Sequence, residues 1–168
     1  MLERLQVQKM NILALDLGTK CGWAVSNGKN GVWNLKPTTN ESAGERYRKF
    51  MDRLYHCWFE ENITYVVYEE VHMHTAVDAA HVYGGLVAIL QCFCLEHKLE
   101  YRGVGVGTIK KHATGNGNAT KDMMVAAAIR KYKSVNIIDD NHADALHLLD
   151  YAKVTSYSHQ QNGPGLTL

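Results

Sequence analysis

The stretch Asn11–Leu35, NILALDLGTKCGWAVSNGKNGVWNL, decides the fold. Asn11 to Leu15 is a short apolar run that stops at Asp16 and is followed by Gly18 and Thr19, which reads as a buried strand and a turn. Cys21–Ser26 and Gly31–Leu35 read as two more strands, joined by the turn-forming NGKNG. Connections this short join adjacent antiparallel strands, so a three-stranded meander is expected.

Outward from the meander the period changes. Ser42 and Glu45 stand in capping-box spacing, and Tyr47, Phe50, Met51, Leu54, Cys57 and Trp58 recur at helical intervals, predicting a helix over 42–60. ITYVVYEE (63–70) reads as a strand ending in acids. A long helix is expected over 76–97. Gly84 and Gly85 in its middle cost about 1 kcal/mol each relative to Ala, which implies close approach by a sheet or a second subunit. Tyr101–Val106 reads as a fifth strand, and Thr108 as the cap of a short helical turn before the loop HATGNGN. Asn118 is placed as the cap of a helix to Tyr132, with Met124, Val125, Ala128, Ile129 and Tyr132 inward. A last helix spans about 140–152, and 153–168 is expected to be a disordered tail. Two strands reached by helical crossovers lie parallel to the first. The result is one α/β domain over 1–152, with 1–10 as an extension and helices on both faces of a mixed five-stranded sheet.

The 168 residues, 46% hydrophobic and 21% charged, suit one domain with a core, and a net charge of +1 singles out no partner. Between Lys98 and Lys133, however, eight Lys and Arg are opposed only by Glu100 and Asp122, a local positive face that hints at a polyanion. Cys21, Cys57, Cys92 and Cys94 form no CxxC pair. Each sits in an apolar run and reads as a small core residue suited to a reducing cytoplasm. The start lacks the apolar run of a signal peptide, and no stretch reads as long enough to span a bilayer, so no membrane partner is expected.

Asp16 ends the first strand and Glu69 the fourth, where connections leave in opposite directions and ligand sites of open α/β sheets form. Asp144 lies near the start of the last helix, with Asp140 and Asn141 on the same face at i−4 and i−3. Clustered acids raise one another's pKa unless cations intervene, and hard cations such as magnesium or manganese prefer oxygen ligands. Two ions ~4 Å apart can activate a water and stabilise the leaving oxygen of a phosphodiester displacement.

In order and spacing, NILALDLGTKCGWAV, YVVYEEVHMH, VGVGTIKKHATGNGNATKDMM and DDNHADALHLL resemble the RuvC-type Holliday-junction resolvases over about residues 11–152. YEEVHMHTAVDAAHVYGGL looks most like the bacteriophage-encoded members, which would place the protein in a host cytoplasm. The resemblance implies an RNase H-like fold and a magnesium-dependent endonuclease that makes paired cuts in branched DNA, with Mn²⁺ able to substitute. It implies a homodimer and no nucleotide cofactor. Asp16, Glu69 and Asp144 take the family's acidic positions, and Glu70 is the lesser choice because it follows the strand by one more residue. The family's Asp or His three residues before the last Asp is Asn141 here, so Asp140 is the favoured fourth ligand and Asn141 the alternative. Lys110 and Lys121 match positions that approach the scissile strand, Lys121 being assigned to catalysis, and Lys111 is a plainer phosphate contact. His72, His74, His142 and His147 lie near these acids, and His142 is the one that could shuttle protons. Three other readings fit less well: an actin-like ATPase suggested by DLGTK, a junction-binding protein with a decayed site, and a nuclease for flaps or RNA–DNA hybrids.

Overall fold

The structure, a computed structural model, describes residues 10–73 and 76–161. Its elements are β1 (Ile12–Asp16), β2 (Lys20–Val25), β3 (Asn30–Asn34), α1 (Glu45–Glu61), β4 (Tyr65–Glu70), α2 (Val77–Glu96), β5 (Glu100–Gly105), α3 (Val106–Thr114), α4 (Lys121–Lys131) and α5 (Asp140–Gln161). The five strands form one sheet in the order β3-β2-β1-β4-β5. The meander β3-β2-β1 is antiparallel, while β4 and β5 run parallel to β1. The mixed sheet anticipated from the sequence is therefore present.

Strand alternation sends side chains to two cores. Leu13, Leu15, Val66 and Tyr68 face α1 and α2, with Phe50, Leu54, Leu86 and Leu90. Ile12, Ala14 and Val67 face the opposite layer, with Ile109, Met124, Leu148 and Leu149 from α3, α4 and α5. At the amino end of the sheet, Glu61 of α1 takes a 2.6 Å ion pair from Lys29 and a 2.6 Å bond from Asn27, which ties α1 to the β2–β3 turn.

Several local expectations are corrected. Ser42 does not cap α1: the helix starts at Glu45 after Gly44, without a side-chain cap. Neither does Thr108 cap a turn, because α3 begins at Val106 and runs into HATGNGN as far as Thr114, where left-handed Gly115 (φ +80°) stops it. Thr120, not Asn118, caps α4, its hydroxyl accepting from the Met123 N–H. The inner face of α4 is Met124, Ala127 and Ala128, and Ile129 points to solvent. The last helix runs to Gln161, nine residues past the expected end; residues 162–168 and 1–9 lie outside the described part. Cys92 is exposed rather than core.

Within the chain, Gly85 is approached by α1 rather than by the sheet, since a Cβ there would stand 2.5 Å from the Tyr47 ring. Beside Gly84 there is open space. By length and composition α2 is apolar enough to cross a bilayer, contrary to the sequence reading, because its polar members are spread thinly through an otherwise apolar helix. Its inner line, Leu86, Leu90, Phe93 and Cys94, is buried on the sheet. The basic stretch 98–133 does not make one face. Lys98 and Arg102 stand towards the amino end of β5, and Lys131 pairs with Asp150.

Candidate active site

Asp16 is the last residue of β1, and the parallel register of β1 and β4 runs from Ile12↔Tyr65 to Leu15↔Tyr68. One step further along that register lie Asp16 and Glu69. Period-2 alternation puts both on the face carrying Ala14 and Val67, the face that α5 covers. Glu70 falls on the other face, where its side chain packs within about 3 Å of the position a Cβ on Gly103 would take. Alternation thus separates the two acids that the sequence leaves side by side, and it selects Glu69.

α5 reaches this face because β2 has no side chain at the point of contact. Asp16 pairs with Gly22 across the ladder, and a Cβ on Gly22 would stand 1.9 Å from the Asn141 carbonyl oxygen. The first turn of α5 thus lies directly against the β2 backbone, in the row that ends at Asp16. Asp139 starts the helix, its carboxylate accepting from the His142 N–H at 3.0 Å. His142 is buried: the Ile138 N–H donates to its Nδ1 (3.2 Å), so Nε2 carries the proton and donates to Asn30 Oδ1 (2.8 Å). Burial also holds the imidazole below its ordinary pKa. With both nitrogens occupied, His142 pins α5 to β3 rather than shuttling protons.

Neither His147 nor His72 touches Asp16, Glu69, Asp140 or Asp144. His147 is buried with Nε2 donating to the Met124 carbonyl (3.0 Å), and His72 is exposed beside Glu70 at 3.7 Å. His74 lies outside the described residues.

The electrostatics show which groups the fold gathers. The Asp16 carboxyl is held well above the usual carboxylate range, first by burial and then by the negative charges of Glu69, Asp144 and Asp140. Burial and then Asp144 push Glu69 up to about 7. Burial and then Asp140 push Asp144 up to about 6. Lys110 and Lys121 oppose the shift of both Glu69 and Asp144. Asp140 moves the other way: its ion pair with Lys121 holds it below the ordinary value and raises the Lys121 ammonium in turn. Four acids and two lysines named from the sequence therefore sit within one electrostatic cluster. Lys111 is exposed on α3 and takes no part in it.

The two lysines arrive from neighbouring elements. Lys110 rides on α3 and Lys121 opens α4, and the loop between them is folded back, so that a Cβ on Gly117 would lie 3.3 Å from the Gly107 carbonyl oxygen. Two contributors are absent from the residues singled out in the sequence. Gly22 seats α5, and Tyr83 of α2 clamps the end of β4, its hydroxyl donating to the Glu69 carbonyl and accepting from the Val71 N–H, both at 3.0 Å. A glycine inside a strand pattern hints at close backbone approach, which was the available clue to Gly22.

The donor set is that of a hard cation: carboxylate oxygens, with Asp144 Oδ1 buried and lacking a hydrogen-bond partner. As the side chains stand, no group of three or more His, Cys, Asp or Glu among the described residues is gathered closely enough to hold a metal ion. Mutually repelling carboxylates stand apart unless a positive charge draws them together, and Lys121 does so only for Asp140.

No protein-family model and no curated protein matches the sequence. Solved structures do match. The chain is similar to RuvC of Thermus thermophilus in complex with a Holliday junction substrate, with a TM-score of 0.72 and 19% identity over 88% of this chain and 97% of that one. A second Thermus thermophilus RuvC structure matches with a TM-score of 0.68 and 19% identity, covering 87% and 97%. The yeast mitochondrial Holliday junction resolvase matches with a TM-score of 0.59 and 12% identity, covering 83% and 75%. At these identities the likeness establishes the fold, the RuvC form of the RNase H-like sheet.

Proposed function

We propose that this chain is a divalent-metal-dependent endonuclease that hydrolyses phosphodiester bonds in branched DNA, with the four-way junction as its substrate. One observation carries the reading: Asp16 and Glu69 end adjacent parallel strands on one face, and Asp144 of α5 faces them within a single electrostatic cluster. The fold shared with proteins solved as junction resolvases supports it.

Asp16, Glu69 and Asp144 would hold magnesium or manganese, with Asp140 as the favoured fourth ligand and Asn141 as the alternative. When bound, the cation supplies Lewis acidity towards the scissile phosphate and lowers the pKa of water. The protein's own groups do the rest. Lys110 and Lys121 bind phosphate oxygens of the cut strand and offset the charge that grows in the transition state. The Lys121 ammonium has three N–H donors, so it can keep Asp140 while presenting another to phosphate. Lys111 adds a backbone contact at the rim. Water forms the new P–O bond, the bond to the departing sugar oxygen breaks, and that oxygen leaves protonated. Glu69 and Asp144 must be ionised to hold the cation, and without it burial and mutual repulsion keep them partly protonated close to neutral pH.

Two symmetric cuts require two such sites, so the reading includes a homodimer. On α2, Leu86 and Leu90 are buried in the core and take no part in such an interface. The outward line Val77, His81, Gly84, Ala88, Cys92 and Leu95 is exposed and mostly small or apolar, which supports close packing against a second copy.

Labelled four-way, three-way, flap and linear DNA, each incubated with Mg²⁺ or Mn²⁺, tests the reading. Paired cuts in the four-way junction, lost in Asp16→Asn while junction binding persists, are expected. Cleavage undiminished by Asp16→Asn would overturn the site, and cleavage confined to flaps or hybrids would overturn the substrate.

A further inference from the structure

We propose that Lys20, Lys36 and Arg46 form a second phosphate-binding bank, which holds the DNA strand on the side of the acids opposite Lys110 and Lys121. The proposal rests on the nuclease reading and extends it to the path of the strand. Sheet order supplies the geometry. Asp16 and Glu69 end β1 and β4 in the middle of the sheet, with β5 and the Lys110 helix on one side and β2 and β3 on the other. Lys20 opens β2 and pairs with Asn34 at the end of β3, so it stands at the same edge as the acids. The Leu35 N–H donates to the Thr19 carbonyl at 2.8 Å, which brings Lys36 beside the same turn. From the other face of the sheet, the Arg46 guanidinium donates to the Thr19 hydroxyl at 3.2 Å. The turn that follows Asp16 and ends at Thr19 thus collects three cations.

Their charge is scarcely compensated. Lys20 is two-thirds exposed, and the one carboxylate that pairs with it among the described residues, Asp139, is 3.9 Å away and occupied in starting α5. No carboxylate among the described residues pairs with Lys36 or Arg46. The nearby cations of α1 differ in this respect: Lys49 is held by Glu41 at 2.6 Å, and Arg48 by Glu45 and Asp52. Cations on both sides of an acidic cluster, with Lys20, Lys36 and Lys121 exposed and Lys110 and Arg46 half-buried, suit a polyanion that crosses it, because cations at the flanks offset the repulsion between the strand's phosphates and the acids. A nucleic-acid strand laid along the carboxyl edge of the sheet meets Lys110 and Lys121, then the acids, then this bank.

Binding of the full chain to a fluorescent four-way junction, measured over a salt series in chelator so that no cutting occurs, tests the bank. Each phosphate contact adds about one unit to the slope of log affinity against log salt, so Lys20→Ala with Lys36→Ala should lower the slope by about two units. Lys98→Ala with Arg102→Ala removes the same charge towards the opposite end of the sheet and should leave the slope unchanged. Equal slopes for the two double variants would overturn the bank while leaving the nuclease reading intact. A wild-type chain that failed to bind the junction would overturn both. On the unmodified protein, junction binding should also slow acylation of the Lys20 and Lys36 amines but not of Lys98, and unchanged rates at Lys20 and Lys36 would equally refute the proposal.

Discussion

Gly22 of β2 and Asn141 of α5 are in backbone contact: any side chain at Gly22 would collide with the Asn141 carbonyl group, 1.9 Å from its oxygen and 2.4 Å from its carbon. The neighbour is backbone at the start of a buried helix, so neither atom can swing aside. Gly22→Ala is expected to cost about 3 kcal/mol, the upper range for overpacking, and to displace Asp140 and Asp144 from Asp16. Urea denaturation measures the first effect. Loss of the tightest Mn²⁺ binding, titrated at a temperature where the variant remains folded, measures the second. A variant with wild-type stability would show that the contact relaxes freely.

The fourth acidic position separates two neighbours. Asp140 contributes to the raised pKa of both Asp16 and Asp144, whereas Asn141 brings no charge and meets β2 through its backbone. Asp140→Ala should therefore reduce cleavage by tenfold or more, on the order of 1.4 kcal/mol of transition-state stabilisation, and Asn141→Ala by less. Single-turnover rates on a four-way junction give the order directly, and the reverse order would assign the ligand to Asn141.

Metal-free protein should lose stability as pH rises towards neutral. Asp16, Glu69 and Asp144 have pKa values raised above those of the unfolded chain. The folded state therefore binds more protons between about pH 4, where the unfolded acids titrate, and Glu69's pKa of about 7. Their contribution is complete below the unfolded values and is lost as pH rises through about 6 and 7. Thermal melts in chelator should show a decline across that window, flatter in Asp16→Asn. Added Mg²⁺ should reverse the trend, since cations bind the ionised acids. A melting temperature that rises through the same window without metal would contradict the cluster.

Sedimentation at micromolar concentration should give twice the chain mass. Ala88→Glu, on the exposed line of α2 away from the core, should give a monomer with unchanged helicity, because an unpaired charge in an apolar interface is costly. A monomer both free and on junction DNA would overturn the paired-cut model.

What the sequence determined by itself was whatever its local periods encode. Alternation in Asn11–Leu35 defines the meander, and apolar spacing places α1 and α2 to within three residues at each end. Apolar runs that stop at Asp16 and Glu69 put both acids at the carboxyl edge, because a strand's period and its ending are properties of neighbouring residues. Tertiary structure decided where distant elements land. The choice of Glu69 over Glu70 depends on which sheet face α5 covers, and α5 finds that face through the bare backbone of Gly22, more than a hundred residues earlier in the chain. The same holds for Asp139, which caps the helix and leaves Asp140 to meet Lys121, and for His142, which spends both ring nitrogens on α5 and β3. It holds also for Cys92 and Ile129, apolar by type yet turned to solvent. A side chain's chemistry is written in the sequence, but the partner that makes it a ligand, a cap or a core residue comes from long-range packing, which no local period records.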